Sequence, residues 1–139
     1  MRKLELYELT TCKKLEDAFG MIAENKKWDT VDFCNKCLSS STLDQIASYD
    51  AIIGQSKTYI YNNLVNELQN ITEPSDTPIH KPSLEWFGFL ILYWIFSAGI
   101  DPKDILKYDI SSIINEYDIL HTYSMKNAIK DIQENLAVR

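Results

Sequence analysis

Residues Ser83–Ala98 read SLEWFGFLILYWIFSA and carry two of the three tryptophans and three of the five phenylalanines. No charge interrupts this run after Glu85. A proline precedes it and the Ser83 hydroxyl can cap a free N–H, which favours a helix start. Gly99 is suited to a left-handed helix end. Because its aromatic residues fall on more than one face, we predict a helix at about 84–98 that is buried nearly all round.

A membrane-spanning helix is the other interpretation of this run. A span needs about 20 apolar residues, and a run of about 15 is more typical of a core helix. The flanks are acidic rather than rich in Lys or Arg, as the ends of a spanning helix would be. The sequence therefore favours a core helix and predicts no membrane association.

Length and charge narrow the classes of protein. A chain of 139 residues fits one domain with one core, and its 4 Gly and 4 Pro argue against a turn-rich β-sandwich or barrel. The net charge of −6 disfavours binding to nucleic acid and fits a basic protein partner. Three cysteines make an odd count, and no apolar leader follows Met1, so we expect a reducing cytoplasm.

Apolar residues recur at helical spacing through most of the chain. We therefore predict an all-α, compact single-domain bundle of six to eight helices over residues 1–139. Its N-terminal helices occupy 1–71 and its C-terminal helices 83–139, joined by a surface strap at 72–82 whose prolines disfavour helix. The predicted helices run from Leu4 or Thr11 to about Asn25, from the cap Asp29, from the cap Ser41 or Thr42 through Ala47, from Lys57 to about Asn70 with the cap Ser56, and, after Gly99, from the caps Asp101, Asp109 and Ser124.

The first helix has an apolar stripe that is predicted to include Leu4, Tyr7, Thr11 and Leu15. Residues 4–7 also alternate between apolar and polar, so a short strand before the helix is the alternative. A loop that contains Gly54 is predicted at 48–55.

Cys34 and Cys37 form a C-x-x-C pair. A structural zinc ion needs four ligands, and the remaining donors, Cys12, His80 and His121, stand at no recognised spacing. If the segment is helical, both thiols fall on its buried stripe. The sequence therefore favours two core cysteines over a zinc site, and predicts no metal or other cofactor.

Asp118 and His121 are the candidate catalytic residues. A carboxylate that orients an imidazole is half of an acid–base arrangement, and a further group would have to complete it. The alternative is structural, with His121 in a turn between helices and its ring bonded to backbone carbonyls. Because tyrosine is enriched at protein interfaces, Tyr117, His121 and Tyr123 are also candidates for binding a protein.

The C-terminal half carries an aromatic helix, a short charged helix, a His-Thr turn and a closing helix. The residues of this pattern are Glu85-Trp86-Phe87-Gly88, Tyr93-Trp94, Tyr117, Leu120-His121-Thr122, Ala128-Ile129 and Asp131-Ile132. The pattern covers about Leu84 to Leu136 and resembles a family of short, uncharacterised bacterial helical proteins. Members of that family are often encoded beside ADP-ribosyltransferase-type toxins, so the resemblance implies an antitoxin or an accessory partner.

Two functional hypotheses from different classes follow. The first is a non-enzymatic protein-interaction module, an antitoxin or a regulatory partner in bacterial defence or phage biology, whose partner is a protein such as a toxin encoded nearby. The second is a small enzyme that uses His121 and Asp118 as an acid–base pair.

Overall fold

The computed structural model describes residues 1–49 and 55–138, which fold into a compact all-α bundle. The predicted fold class is confirmed, and the eight α-helices of the described residues lie at the upper end of the predicted number. Most of the loop predicted at 48–55, Gly54 included, lies outside the described residues. The helices are α1 Leu6–Asn25, α2 Thr30–Leu38, α3 Ser41–Ala47, α4 Lys57–Leu68, α5 Lys81–Ala98, a 3₁₀ helix Pro102–Lys107, α6 Ile110–Asn115, α7 Tyr117–Leu120 and α8 Met125–Asn135.

Several helices begin at the caps that the sequence predicts. The Asp29 carboxylate accepts a hydrogen bond from the Asp32 N–H at 2.8 Å and starts α2. Ser56 and Ser124 cap α4 and α8 in the same way, each through a backbone N–H three residues further on. Asp101 caps the 3₁₀ helix. Each cap satisfies one of the N–H groups that a helix start leaves without a partner.

The predicted cap of α3 was wrong. Its cap is Ser40, whose hydroxyl accepts from the Leu43 N–H at 3.1 Å, rather than Ser41 or Thr42. The reason lies in α4, because the Glu67 carboxylate accepts from the N–H groups of Ser41 and Thr42 at 2.6 and 2.9 Å. With those N–H groups paired from outside, both residues belong to the first turn of α3.

The start of the aromatic helix was also predicted too late. Helix α5 begins at Lys81, and its cap is His80, whose Nδ1 accepts from the Ser83 N–H at 3.3 Å. Pro82 therefore lies in the first turn, where a missing N–H removes no intrahelical bond. Ser83 is buried inside the helix, and the irregular strap ends before Lys81.

Helix α5 forms the centre of the bundle, as predicted. It buries residues on all of its sides, among them Phe87, Leu90, Ile91 and Trp94, and it ends at Gly99 with a φ of 65°, the left-handed conformation that glycine adopts at low cost. None of the helices in the described chain has both the length and the apolar content that crossing a bilayer requires.

Helix α1 packs along α5 more extensively than any other pair of helices does. The helices approach closely at Gly88, where an added Cβ would lie 2.9 Å from Phe19 Cδ2 and 3.2 Å from the Leu15 carbonyl oxygen. The apolar stripe predicted for α1 is wrong at Tyr7, which is 57% exposed. The next residue, Glu8, is fully buried instead.

The strap is fixed to the start of α2 by backbone hydrogen bonds. The Asp29 N–H donates to the Glu73 carbonyl at 2.8 Å, and the Ser75 N–H donates to the Lys27 carbonyl at 2.9 Å. At the other end of the chain, the Asp109 N–H donates to the Leu136 carbonyl at 2.8 Å. These bonds hold the irregular segments against the bundle.

Candidate functional site

Tyr117, the first residue of α7, is surrounded by three aromatic rings. The His121 ring stacks on it with centroids 4.4 Å apart and an interplanar angle of 16°. His80 and Trp86 meet it edge to face, with centroids 5.6 and 5.7 Å from the tyrosine ring. The predicted binding candidates Tyr117 and His121 are therefore in contact, and both histidines of the chain lie against one tyrosine.

The local sequence explains the position of these rings. Helix α6 ends where the Glu116 N–H donates to the Ser112 carbonyl, and α7 is a single turn that follows it. Tyr117 and His121 stand four residues apart, the spacing that brings side chains together on a helix. The turn then closes with the Thr122 hydroxyl, which donates to the Ile119 carbonyl at 2.6 Å.

The hydrogen bonds of the two imidazoles fix different tautomers. His121 Nδ1 lies 2.7 Å from the Tyr117 carbonyl oxygen, which can only accept, so this nitrogen carries a proton. His80 Nδ1 accepts from the Ser83 N–H, so in the neutral ring the proton is on Nε2. In their neutral forms the two rings therefore offer an Nε2–H donor from His80 and an Nε2 acceptor from His121, both on exposed residues.

Trp86 forms the buried floor of this cluster and is only 8% exposed. Its Nε1–H has no hydrogen-bond partner among the described residues. A buried donor that is left unpaired destabilises a fold, so it marks the part of the site where polar pairing is incomplete.

Two large apolar side chains close to the cluster in sequence are exposed. Ile119 on α7 is 58% exposed and Tyr123, just after it, is 41% exposed. Tyr123 lines an open groove along α8 with Asn127 and Lys130. We call Tyr117, Ile119, His121 and Tyr123, together with His80, the α7 surface.

The predicted catalytic pair is arranged differently from an acid–base dyad. Asp118 and His121 are both exposed on α7, but His121 Nδ1 bonds to the backbone at Tyr117. Among the described residues, no hydrogen bond joins the Asp118 carboxylate to that imidazole. The ring is thus oriented by a backbone carbonyl.

The predicted zinc candidates lie in the core. Cys34 and Cys37 are fully buried in α2, and burial raises the pKa of both thiols well above the ordinary value. Burial also raises the pKa of Cys12 to about 12. With no cation beside them in the part of the chain that the structure describes, such thiols stay protonated. Within the described ranges, no cluster of three or more His, Cys, Asp or Glu side chains is placed to hold a metal ion.

Sequence reasoning missed a second polar cluster, which is centred on Glu8. This buried carboxylate forms a bidentate ion pair with Arg2. It also accepts hydrogen bonds from the Tyr49 hydroxyl at 2.6 Å and from the Glu5 N–H at 2.8 Å. The hydrogen bonds from Arg2, with those from Tyr49 and the Glu5 N–H, lower the pKa of Glu8 to about 2, although burial opposes the shift. Burial and the bond to Glu8 raise the pKa of Tyr49 to about 12.

A signal for this cluster was present in the sequence. Glu8 precedes Thr11, Cys12 and Leu15 at helical spacing, so it falls on the buried face of α1. A carboxylate in such a position needs a cationic or hydrogen-bonding partner. The identity of the partners came only with the fold.

Neither family models, nor curated proteins, nor solved structures show a significant match to this chain. Its class is therefore defined by its own fold, a small all-α bundle in which two histidines and Trp86 contact Tyr117 of α7.

Proposed function

We propose that this protein is a protein-interaction module that binds a basic protein partner through the α7 surface. The observation that carries the proposal is the exposure of Ile119 and Tyr123, at 58% and 41%, within two residues in sequence of the stacked Tyr117 and His121 rings. Exposed apolar groups that are grouped beside polar ones are typical of interaction sites.

The α7 surface has the components that dominate the energy of protein interfaces. Aromatic anchors held in one conformation lose little entropy on binding, and Tyr117 is held by contacts with His121 and Trp86. The two imidazoles add one donor and one acceptor, a pair that suits amide groups of a polypeptide. Exposed Glu116 and Asp118 on either side of Tyr117 favour a partner of positive charge.

The identity of the partner comes from the resemblance of the C-terminal half to helical proteins encoded beside toxins. We propose that the partner is such a toxin and that binding neutralises it, which makes the protein an antitoxin or a related regulator in a bacterium or phage. A cytoplasmic location belongs to this proposal, because all three cysteines are free and buried, as is usual in a reducing compartment.

Co-expression with the product of the adjacent gene tests the proposal. We expect that product alone to arrest growth, and this protein to restore growth and to co-purify with it. Ile119→Glu should abolish both effects. Ile71→Glu is the matched control, because Ile71 is an isoleucine of similar exposure, 53%, in the turn after α4.

Two outcomes would reject the proposal. A neighbouring product that does not affect growth would remove the antitoxin role. If both variants are folded by circular dichroism and Ile119→Glu weakens binding no more than Ile71→Glu does, α7 is not the contact surface.

A further inference from the structure

Helix α1 has an exposed face opposite its buried face. Its buried residues, among them Thr11, Leu15 and Ile22, cover one side, and the opposite side carries Leu6 and Leu9. Leu6 is 79% exposed and Leu9 is 36% exposed. At 3.6 residues per turn, the exposed helical residues of this face form one continuous stripe, which the helix cap Glu5 extends by one position: Glu5, Leu6, Leu9, Thr10 and Lys13. We call them the α1 stripe.

We propose that the α1 stripe is the interface of a homodimer, in which α1 packs antiparallel to α1 of a second copy about a two-fold axis through Leu9. An interface of this kind is isologous, so the same patch of both copies must be complementary to itself. The order of residues along the stripe has this property.

The charges of the stripe pair across the proposed axis. Glu5 lies four residues before Leu9 and Lys13 lies four residues after it, which places each about 6 Å from the axis along the helix, in opposite directions. When a second helix runs antiparallel, Glu5 of each copy therefore meets Lys13 of the other. Leu9 meets its own counterpart at the centre, and Leu6 packs beside it.

The next charges outward continue the same complementarity. Exposed Lys3 precedes the helix, and Glu16 lies beyond Leu9 on the other side. Within one copy Lys13 pairs with Glu16 and with Asp17, the latter at 3.3 Å, but the Lys13 side chain is 61% exposed and can also reach an acidic group of a second copy. A parallel arrangement would instead bring like charges together, because each residue would face its own counterpart.

This complementarity favours a second copy over an unrelated partner. A different protein would need only an apolar surface, and the spacing of Glu5 and Lys13 about Leu9 would have no consequence for it. The interface is also distinct from the α7 surface, so dimer formation and partner binding can be tested separately.

The first measurement is the molar mass by light scattering over a micromolar concentration series. We expect a dimer for the wild-type protein and a dissociation constant raised at least about tenfold by Leu6→Arg. Leu6 is so exposed that this change leaves the fold intact, and Arg is as good a helix former as Leu. Ile71→Arg is the control and should remain a dimer. A wild-type monomer throughout the series, or a dimer that Leu6→Arg leaves unchanged, overturns the proposal.

Disulfide formation then tests the axis. Leu9→Cys should give a covalent dimer on mild oxidation, because the two introduced thiols meet at the axis. In Lys13→Cys the two thiols would lie about 12 Å apart along the helix, so no covalent dimer should form. The native cysteines are buried and do not interfere. Equal cross-linking of both variants, or none in Leu9→Cys, overturns the antiparallel arrangement.

Discussion

Gly88→Ala tests how closely α1 and α5 must approach. The added Cβ would lie 2.9 Å from Phe19 Cδ2, 3.0 Å from Phe19 Cγ and 3.2 Å from the Leu15 carbonyl oxygen. Phe19 is fully buried and its ring already packs edge to face against Phe33 at 5.1 Å, so it has little room to move. The Leu15 oxygen belongs to the backbone of α1. The two helices must therefore separate locally to admit the methyl group.

The magnitude follows from two opposing effects. Inserting a methyl group into a packed core costs about 1–3 kcal/mol. Replacing glycine by alanine inside a helix gains about 0.5–1 kcal/mol, because alanine loses less backbone entropy on folding. The expected result is a net loss of about 1–2 kcal/mol in the free energy of unfolding.

Gly20→Ala is the matched control in the partner helix. Its Cβ would lie 2.6 Å from Glu85 Oε2, the far end of a flexible side chain that is not fully buried and can swing away. This variant keeps the gain in helix propensity, so it should be between neutral and about 1 kcal/mol more stable than the wild-type protein. The two alanine variants should differ by about 2 kcal/mol.

Urea denaturation followed by circular dichroism measures this difference. For a chain of this size, each 1 kcal/mol corresponds to a change of about 4 °C in Tm, so thermal melts give an independent value. If Gly88→Ala is as stable as Gly20→Ala, Gly88 does not set the spacing of α1 and α5.

Three further predictions concern buried or bonded side chains. The pKa of Glu8 is lowered from its ordinary 4.5 to about 2. The ionised carboxylate therefore contributes its full stability above pH 4.5, and this contribution is lost as the pH falls towards 2. Over this range the Tm of the wild-type protein should decline more steeply than that of Glu8→Gln. Trp94 is only 1% exposed, so Trp94→Ala should lower the free energy of unfolding by about 3–5 kcal/mol. A decrease below about 1 kcal/mol, measured by urea denaturation, would contradict its place in the core. His121→Gln retains a donor for the Tyr117 carbonyl and should lower the free energy of unfolding by about 1 kcal/mol. A fully stable His121→Gln that still binds the partner but is biologically inactive would instead favour the acid–base pair with Asp118.

The sequence predicted the fold class and many helix starts, because these depend on local chemistry. Asp29 and Asp109 cap helices through backbone N–H groups of their own next turn. Gly99 ends α5 because glycine alone lacks the Cβ that the left-handed conformation disfavours. Where several neighbours could serve equally, as among the four hydroxyl residues 39–42, the choice of Ser40 depended on Glu67 from another helix.

The exact buried face of a helix and contacts between residues far apart in sequence were harder to predict. Helical periodicity placed Tyr7 on the buried stripe instead of Glu8, since neighbouring positions differ by only about 100° around the helix. The contact of Tyr117 with His121 follows from a spacing of four residues. His80, the cap of α5, and Trp86, within α5, contact the same tyrosine, and no local pattern connects them to it.

Association and stability are separable in this chain because its exposed apolar residues lie outside the core. Leu6 and Ile119 are 79% and 58% exposed, so charged substitutions there remove contact area from a partner while leaving the folded chain almost unchanged. Trp86 is different, because it supports the Tyr117 ring from within α5 and its loss would alter both the core and the α7 surface. A loss of binding is therefore evidence for a contact surface only when the substituted side chain is exposed and the variant keeps the wild-type Tm.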